Sequence, residues 1–145
     1  MPASGFNIGR DTTVVILHPM APGGRLTVPL QESFDAKQMT AHVESKGLDG
    51  VNRFADVPSG WSGTLNFDRS DNSVDAFFDA IEAAFYNGQS LPTGTITEYQ
   101  TEANGSQTTF VYSLVSFAYT NNGNRVGDQI VKGSIGWKAS RRKMQ

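Results

Sequence analysis

The chain has two histidines, His18 and His42. Imidazole is the side chain best suited to proton transfer near neutral pH and to zinc ligation. Tetrahedral zinc needs three or four ligands at set spacing, and neither histidine has a second His or a Glu placed to help. They read as a loop histidine and a strand-surface histidine. Asp68-Arg69-Ser70-Asp71-Asn72 alternates oxygen donors as a calcium loop does. Its sixth position is Ser73 rather than Gly, and its twelfth is Asp79 rather than Glu. Helix capping accounts for these residues better. Gly60-Trp61-Ser62-Gly63 lacks the spacing of a nucleophile elbow. Gly133-Ser134-Ile135-Gly136 falls in a strand, where close backbone packing explains the glycines. Asn104-Gly105-Ser106 is a formal glycosylation sequon that reads as a turn. No catalytic residue, metal site or cofactor is expected.

Composition sets the scale. The 145 residues suit one domain, and 38% are apolar, so the core is modest. Fifteen glycines favour turns and strands over long helices. Cysteine is absent, so disulfides and thiolate metal sites are excluded. No apolar run is long enough to span a bilayer, and no direct membrane insertion is expected. The first residues lack a basic start before an apolar run, so no secretory signal is expected. Residues 1–137 hold fourteen acids and eight bases, while Lys138, Arg141, Arg142 and Lys143 follow them. The body is acidic and the end basic. An acidic body argues against a duplex-binding surface, which needs clustered Lys and Arg.

Patterning predicts the elements. Residues 1 to 12, with Phe6 and Ile8, read as an N-terminal arm. Val14 to Leu17 and Arg25 to Leu30 read as strands around a Pro- and Gly-rich loop. Residues 33 to 45 alternate, with Met39, Ala41 and Val43 on one face and Gln38, Thr40, His42 and Glu44 on the other. Residues 47–60 read as a long loop, and its Leu48, Val51, Phe54 and Val57 imply that it packs on something. Trp61 to Phe67 alternates as a half-buried strand. Residues 73–87 form an amphipathic helix, with Val74, Phe77, Phe78, Ile81, Ala84 and Phe85 inward and Asp75, Asp79 and Glu82 outward. Thr93 to Gln100, Thr108 to Thr120 and the segment holding Val131, Ile135 and Trp137 close a meander. Residues 138–145 read as a basic tail. The fold class is mainly β: an antiparallel β-sandwich or small barrel with one flanking helix, in a single domain spanning residues 1–145.

This order of elements resembles the tail tube proteins of bacteriophages, most closely those of contractile-tailed phages, and is similar to the tube of type VI secretion. The likeness rests on the Gly-Leu-Asp-Gly segment, the Trp-Ser-Gly-Thr-Leu-Asn-Phe strand, the helix Val74 to Tyr86, and the closing meander to Gly136-Trp137-Lys138. The resemblance implies hexameric rings of the chain itself, stacked into a hollow conduit within a virion tail, assembled in the host bacterial cytoplasm. It implies sheath, tape measure, baseplate and terminator proteins as partners and DNA as non-specific cargo. On that reading Leu48, Val51, Phe54 and Val57 meet a neighbouring subunit. Gln38, Thr40, His42 and Glu44 face the lumen if Met39, Ala41 and Val43 pack on the second sheet, and a bulge before Gln38 would then have to switch the pleat. Arg141, Arg142 and Lys143 meet sheath or a neighbour. The alternatives are a tail terminator or baseplate hub component, then a small ligand-binding β domain, and last an enzyme.

Overall fold

The structure, a computed structural model, describes residues 8–145; Phe6 of the expected arm lies outside them. Gly9–Asp11 forms a single helical turn and leads into β1 (Thr12–Leu17). The remaining elements are β2 (Arg25–Leu26), β3 (Gln31–Lys46), β4 (Asn52–Asp68), α1 (Ser73–Tyr86), β5 (Gly94–Thr101), β6 (Gln107–Asn121), β7 (Lys132–Ala139) and β8 (Arg141–Met144). They form an antiparallel sheet in the order β2-β1-β5-β6-β7-β4-β3, with β8 also on β6. The mainly β architecture with one flanking helix matches the expectation. Among the described residues no helix is long and apolar enough to cross a membrane.

The sheet closes on its own core because β6 turns a corner. Residues 107–115 of β6 pair with β5, and residues 116–121 pair with β7. At the corner Leu114 takes φ 52°, a conformation a branched side chain adopts only under constraint, and its side chain is exposed. The partner strand breaks at the same level, between Ala139 and Arg141, and Ser140 N–H donates to the Ser113 carbonyl at 3.0 Å. Bending both strands together folds one sheet into two facing layers. One layer holds β2, β1, β5, the first half of β6 and β8. The other holds the second half of β6, β7, β4 and β3.

Alternation then fixes the core. Val14 and Ile16 of β1, Ile96 of β5 and Tyr112 of β6 face Leu65 and Phe67 of β4 and Ile135 and Trp137 of β7, all buried. Phe34 lies parallel to the Trp137 ring at 5.5 Å and seals the β3 side. Helix α1 covers the other side. Its Phe77 is 1% exposed and meets the edge of Phe117 and of the buried His18, while Phe78 stacks on Tyr119 at 4.7 Å. Phe85 departs from expectation: it is 60% exposed, although Ala84 beside it in the same turn is buried. Asp71 shapes the helix start by accepting the Ser73 N–H at 3.0 Å and its hydroxyl at 2.7 Å. Gly88 ends it at φ 75°, donating to the Phe85 carbonyl.

Two expectations need correction. Residues 47–60 are not a loop: the turn ends at Val51, and residues 52–60 are the first half of β4, paired to β3 from Lys46↔Asn52 to Met39↔Gly60. Residues 52–59 are exposed on both faces, so nothing constrains them to the alternation that marks a half-buried strand. Residues 138–145 are not a tail: Lys138 and Ala139 end β7, and Arg141–Met144 pairs with Ser113 to Phe110 of β6. A strand at a sheet edge needs no apolar outer face, so basic residues fit there.

Candidate assembly surfaces

The longest exposed feature is a two-stranded ribbon. β4 gains a second neighbour at Trp61, opposite Ala139 of β7, and before that residue it pairs with β3 alone. Residues 39–60 therefore project beyond the four-stranded layer, by about 23 Å at the usual rise per strand residue. The ribbon leaves the body at a bulge. Met39 lies opposite Gly60 and Thr40 opposite Pro58, so Ser59 has no partner. The tip is fastened by Asp49, which accepts the Val51 N–H and an Arg53 guanidinium N–H, both at 3.0 Å. These bonds, the Val51 amide first, hold the Asp49 carboxyl below its ordinary range.

Residues directly across a ladder share a face, and that rule sorts the expected site residues. Ala41 lies opposite Val57 and Val43 opposite Ala55, giving one apolar face. Thr40, His42 and Glu44 lie opposite Pro58, Asp56 and Phe54 on the other. On that second face the His42 ring nitrogen sits 2.9 Å from Asp56, and the ring stacks on Phe54 at 6.0 Å. Phe54 is 62% exposed, Val51 and Val57 about half, and Leu48 stands free at the tip. The expected contact residues and three of the four expected lumen residues thus belong to one hairpin. Gln38, opposite Trp61, sits at its root.

The packing expected of Met39, Ala41 and Val43 is not found. The core side of β3 is the face of Phe34 and Ala36, while Asp35 and Lys37 point outward. Ala41 and Val43 are exposed because no second sheet extends over the ribbon. Two pleat irregularities exist, at Glu32 of β3 and at Ser59 of the partner strand, but the pairing from Ser33 to Met39 is unbroken, so the pleat does not switch between Lys37 and Gln38.

A second surface went unnoticed in the sequence: the outward face of the layer β3-β4-β7-β6. Ser62, Thr64, Gly136, Ser116, Ala118 and Thr120 give it small side chains, which line a shallow concavity of about 510 Å³ with Asp35, Lys37 and Lys138. Its charges are largely matched. Lys132 Nζ reaches Glu32 at 3.0 Å and Asp68 at 2.9 Å, and Lys37 lies 3.8 Å from Asp35. The signal was present as small polar residues alternating with core residues in both Trp61 to Phe67 and the closing strand.

The third feature is β8. Arg142, opposite Tyr112, is half-buried, while Arg141 and Lys143 are exposed, as is Met144 opposite Phe110. The three bases expected to act together are therefore split. The Arg142 guanidinium carbon lies 3.9 Å from the ring centroid of Trp61 and 4.2 Å from that of Phe110. Nearby Glu98 has its carboxyl pushed up by burial, with Arg142 pulling the other way.

Among the described residues no group of three or more His, Asp or Glu is placed to hold a metal ion. His18 is a core residue. Burial holds its pKa below the ordinary value, and its Nδ1 accepts the Met20 N–H at 3.0 Å, so the neutral ring carries its proton on Nε2.

No protein-family profile matches the sequence, and no curated protein matches it. Solved structures do. A chain of the anti-feeding prophage tube terminating cap is 13% identical, with a TM-score of 0.64 over 100% of this chain and 94% of that one. A chain of the sheath–tube complex of the extracellular contractile injection system PVC, in its extended state, is 14% identical, with a TM-score of 0.63 over 99% and 93%. The SPP1 tail tube is 16% identical, with a TM-score of 0.59 over 97% and 79%. At these identities the likeness is one of fold, spanning nearly the whole chain. This chain has the fold of the tube and cap proteins of phage tails and contractile injection systems.

Proposed function

We propose that the chain is a structural subunit of a phage-type tail tube, forming sixfold rings that stack into a hollow conduit. The observation that carries this reading is the pair of open edges on the four-stranded layer. β3 is sixteen residues long and pairs on one side only. At the far edge, β5 stops opposite Val115, so residues 116–121 of β6 pair with β7 alone. Open edges recruit strands. Neighbours in the layer are all antiparallel. A copy placed beside β3 in the same orientation therefore presents its own β6 antiparallel to it. That contact is heterologous and closes into a ring when the rotation allows.

In such a ring one face of the layer is already buried in each subunit's core. The channel wall is then the outward face with Ser62, Thr64, Ser116, Ala118 and Thr120. The hairpin with Leu48, Val51, Phe54 and Val57 projects from the layer and reaches the next ring. Thr40, His42 and Glu44 move from the lumen to that contact. DNA is the proposed cargo, passing a wall of small hydroxyl side chains whose ion pairs leave little net charge to hold phosphate. Sheath, tape measure, baseplate and terminator proteins are the proposed partners, in a virion tail assembled in a host bacterial cytoplasm. The likeness to a terminating cap favours a second reading, in which the chain closes a tube rather than building it.

The native chain has no cysteine, which makes a clean test possible. Asp35→Cys can be combined in turn with Ser116→Cys, Ala118→Cys or Thr120→Cys. Within one copy these edges lie three strand spacings apart, about 14 Å, beyond disulfide reach. Oxidation of assembled protein should give a ladder of linked copies ending in a closed ring for one of the three pairs. Monomer alone in all three would refute the edge-to-edge ring.

A further inference from the structure

Two-stranded ribbons hold their direction poorly by themselves, so something at the root must set where the hairpin points. Three observations meet there. Gly60 takes φ 117° and lies against β7, so that a Cβ on it would come within 2.7 Å of the Ala139 carbonyl oxygen. Ser59 beside it is unpaired. A cleft of about 630 Å³ opens between Gln38, Pro58, Ser59 and Gly60 on one bank and Ser140, Arg141 and Arg142 on the other. Arg142 reaches to the root side of that cleft and lays its guanidinium against Trp61 at 3.9 Å and against Phe110 at 4.2 Å.

We propose that Arg142 is the positioning residue of the hairpin: the docked C-terminal strand, acting through Arg142 on Trp61, fixes the direction in which residues 39–60 leave the body. The chemistry suits the task. A guanidinium is planar and weakly hydrated, so it can lie flat against aromatic rings, which a Lys ammonium cannot match. Trp61 is the first β4 residue held on both sides, by Gln38 and Ala139, so tilting its ring tilts the ribbon. The bulge at Ser59 supplies the hinge. Arg142 is thereby taken from the outward basic set, leaving Arg141 and Lys143 for partners. The consequence for assembly rests on the proposed stacking through the hairpin, but the clamp itself is a property of the single chain.

Hydrogen–deuterium exchange on the unassembled protein, kept dilute, reads the clamp directly. Arg142→Ala should speed exchange of amides in residues 39–46 and 52–60 by about tenfold, the size of one lost cation–π contact. Amides of β1 and β5 should stay as they are. Arg142→Lys should fall between. If Arg142→Ala does not fold, Trp61→Leu, which keeps the charge but removes one ring, should give the same localised change. Unchanged hairpin exchange would overturn the proposal, and so would a uniform rise over the whole chain, which would make Arg142 a core stabiliser. Absence of wild-type rings would count against the stacking reading alone, because the exchange result does not depend on assembly.

Discussion

Tyr119 of β6 donates its hydroxyl to Asp75 of α1 at 2.9 Å, and the same carboxylate takes two guanidinium bonds from Arg69 at 2.8 and 3.1 Å. One helix carboxylate thus ties α1 to the sheet and to the loop before it. Burial pushes the Tyr119 phenol up, with the Asp75 hydrogen bond adding to it, to about 12. Burial pushes the Asp75 carboxyl up, but Arg69 and Tyr119 outweigh it and the net direction is down.

The sign of the pH dependence follows. A phenol raised in the folded state contributes fully below its ordinary value of about 10, and its contribution is lost as pH climbs toward 12. A depressed carboxylate contributes fully above its ordinary range and is lost as pH falls through its lowered value. Tyr119→Phe should cost about 1 kcal/mol at pH 7. Urea melts of both proteins should converge between pH 10 and 12. A gap that stays constant over that range would remove Tyr119 as the alkaline contributor.

The helix should show graded costs along its length. Phe77→Ala should cost about 3–5 kcal/mol, Phe78→Ala less because its ring is partly exposed, and Phe85→Ser within about 0.5 kcal/mol. Thermal or chemical melts give the order. If Phe85→Ser matched Phe77→Ala, the Phe85 ring would have to be packed on the body.

Gly63 is where β3 and β4 press together most closely. A Cβ there would collide with the Asp35 carbonyl oxygen and the Trp137 ring. Gly63→Ala should therefore destabilise by several kcal/mol and free β3, whereas Gly127→Ala, with nothing within 4 Å, should be neutral. Equal stability of the two variants would contradict the β3–β4 contact.

The helix was legible because Val74, Phe77, Ile81 and Ala84 repeat at helical spacing. Phe85 fits the same spacing, yet spacing alone does not mark which flank of a helix's apolar face stays uncovered, and Ala84 in the same turn is buried. The hairpin was not legible for a related reason. Residues 52–59 are wet on both faces, and the bulge at Ser59 shifts their phase against Trp61 to Phe67. The packing expected of Met39, Ala41 and Val43 was misread on phase as well: they look like a core face, but the core parity of β3 is that of Phe34 and Ala36. The Arg142 clamp joins side chains from β4, β6 and β8, and only strand pairing brings those together. Arginine and methionine alternating with outward bases in Arg141–Met144 was the one local hint of a strand there.

The hairpin should matter to assembly and not to the single chain. Phe54→Asp changes a side chain already 62% exposed, so the melting temperature should move little. In the stack it would bury an unpaired charge, and a penalty of about 3–5 kcal/mol per contact should abolish tubes. Normal tubes from Phe54→Asp would place the ring-to-ring contact elsewhere.

Electron microscopy of the purified wild-type protein at rising concentration tests the central claim most directly. Hollow tubes with a regular ring repeat are the predicted result. Isolated rings that never stack would shift the reading to a tube cap. A chain that remains monomeric at every concentration, with both sheet edges open, would contradict the account.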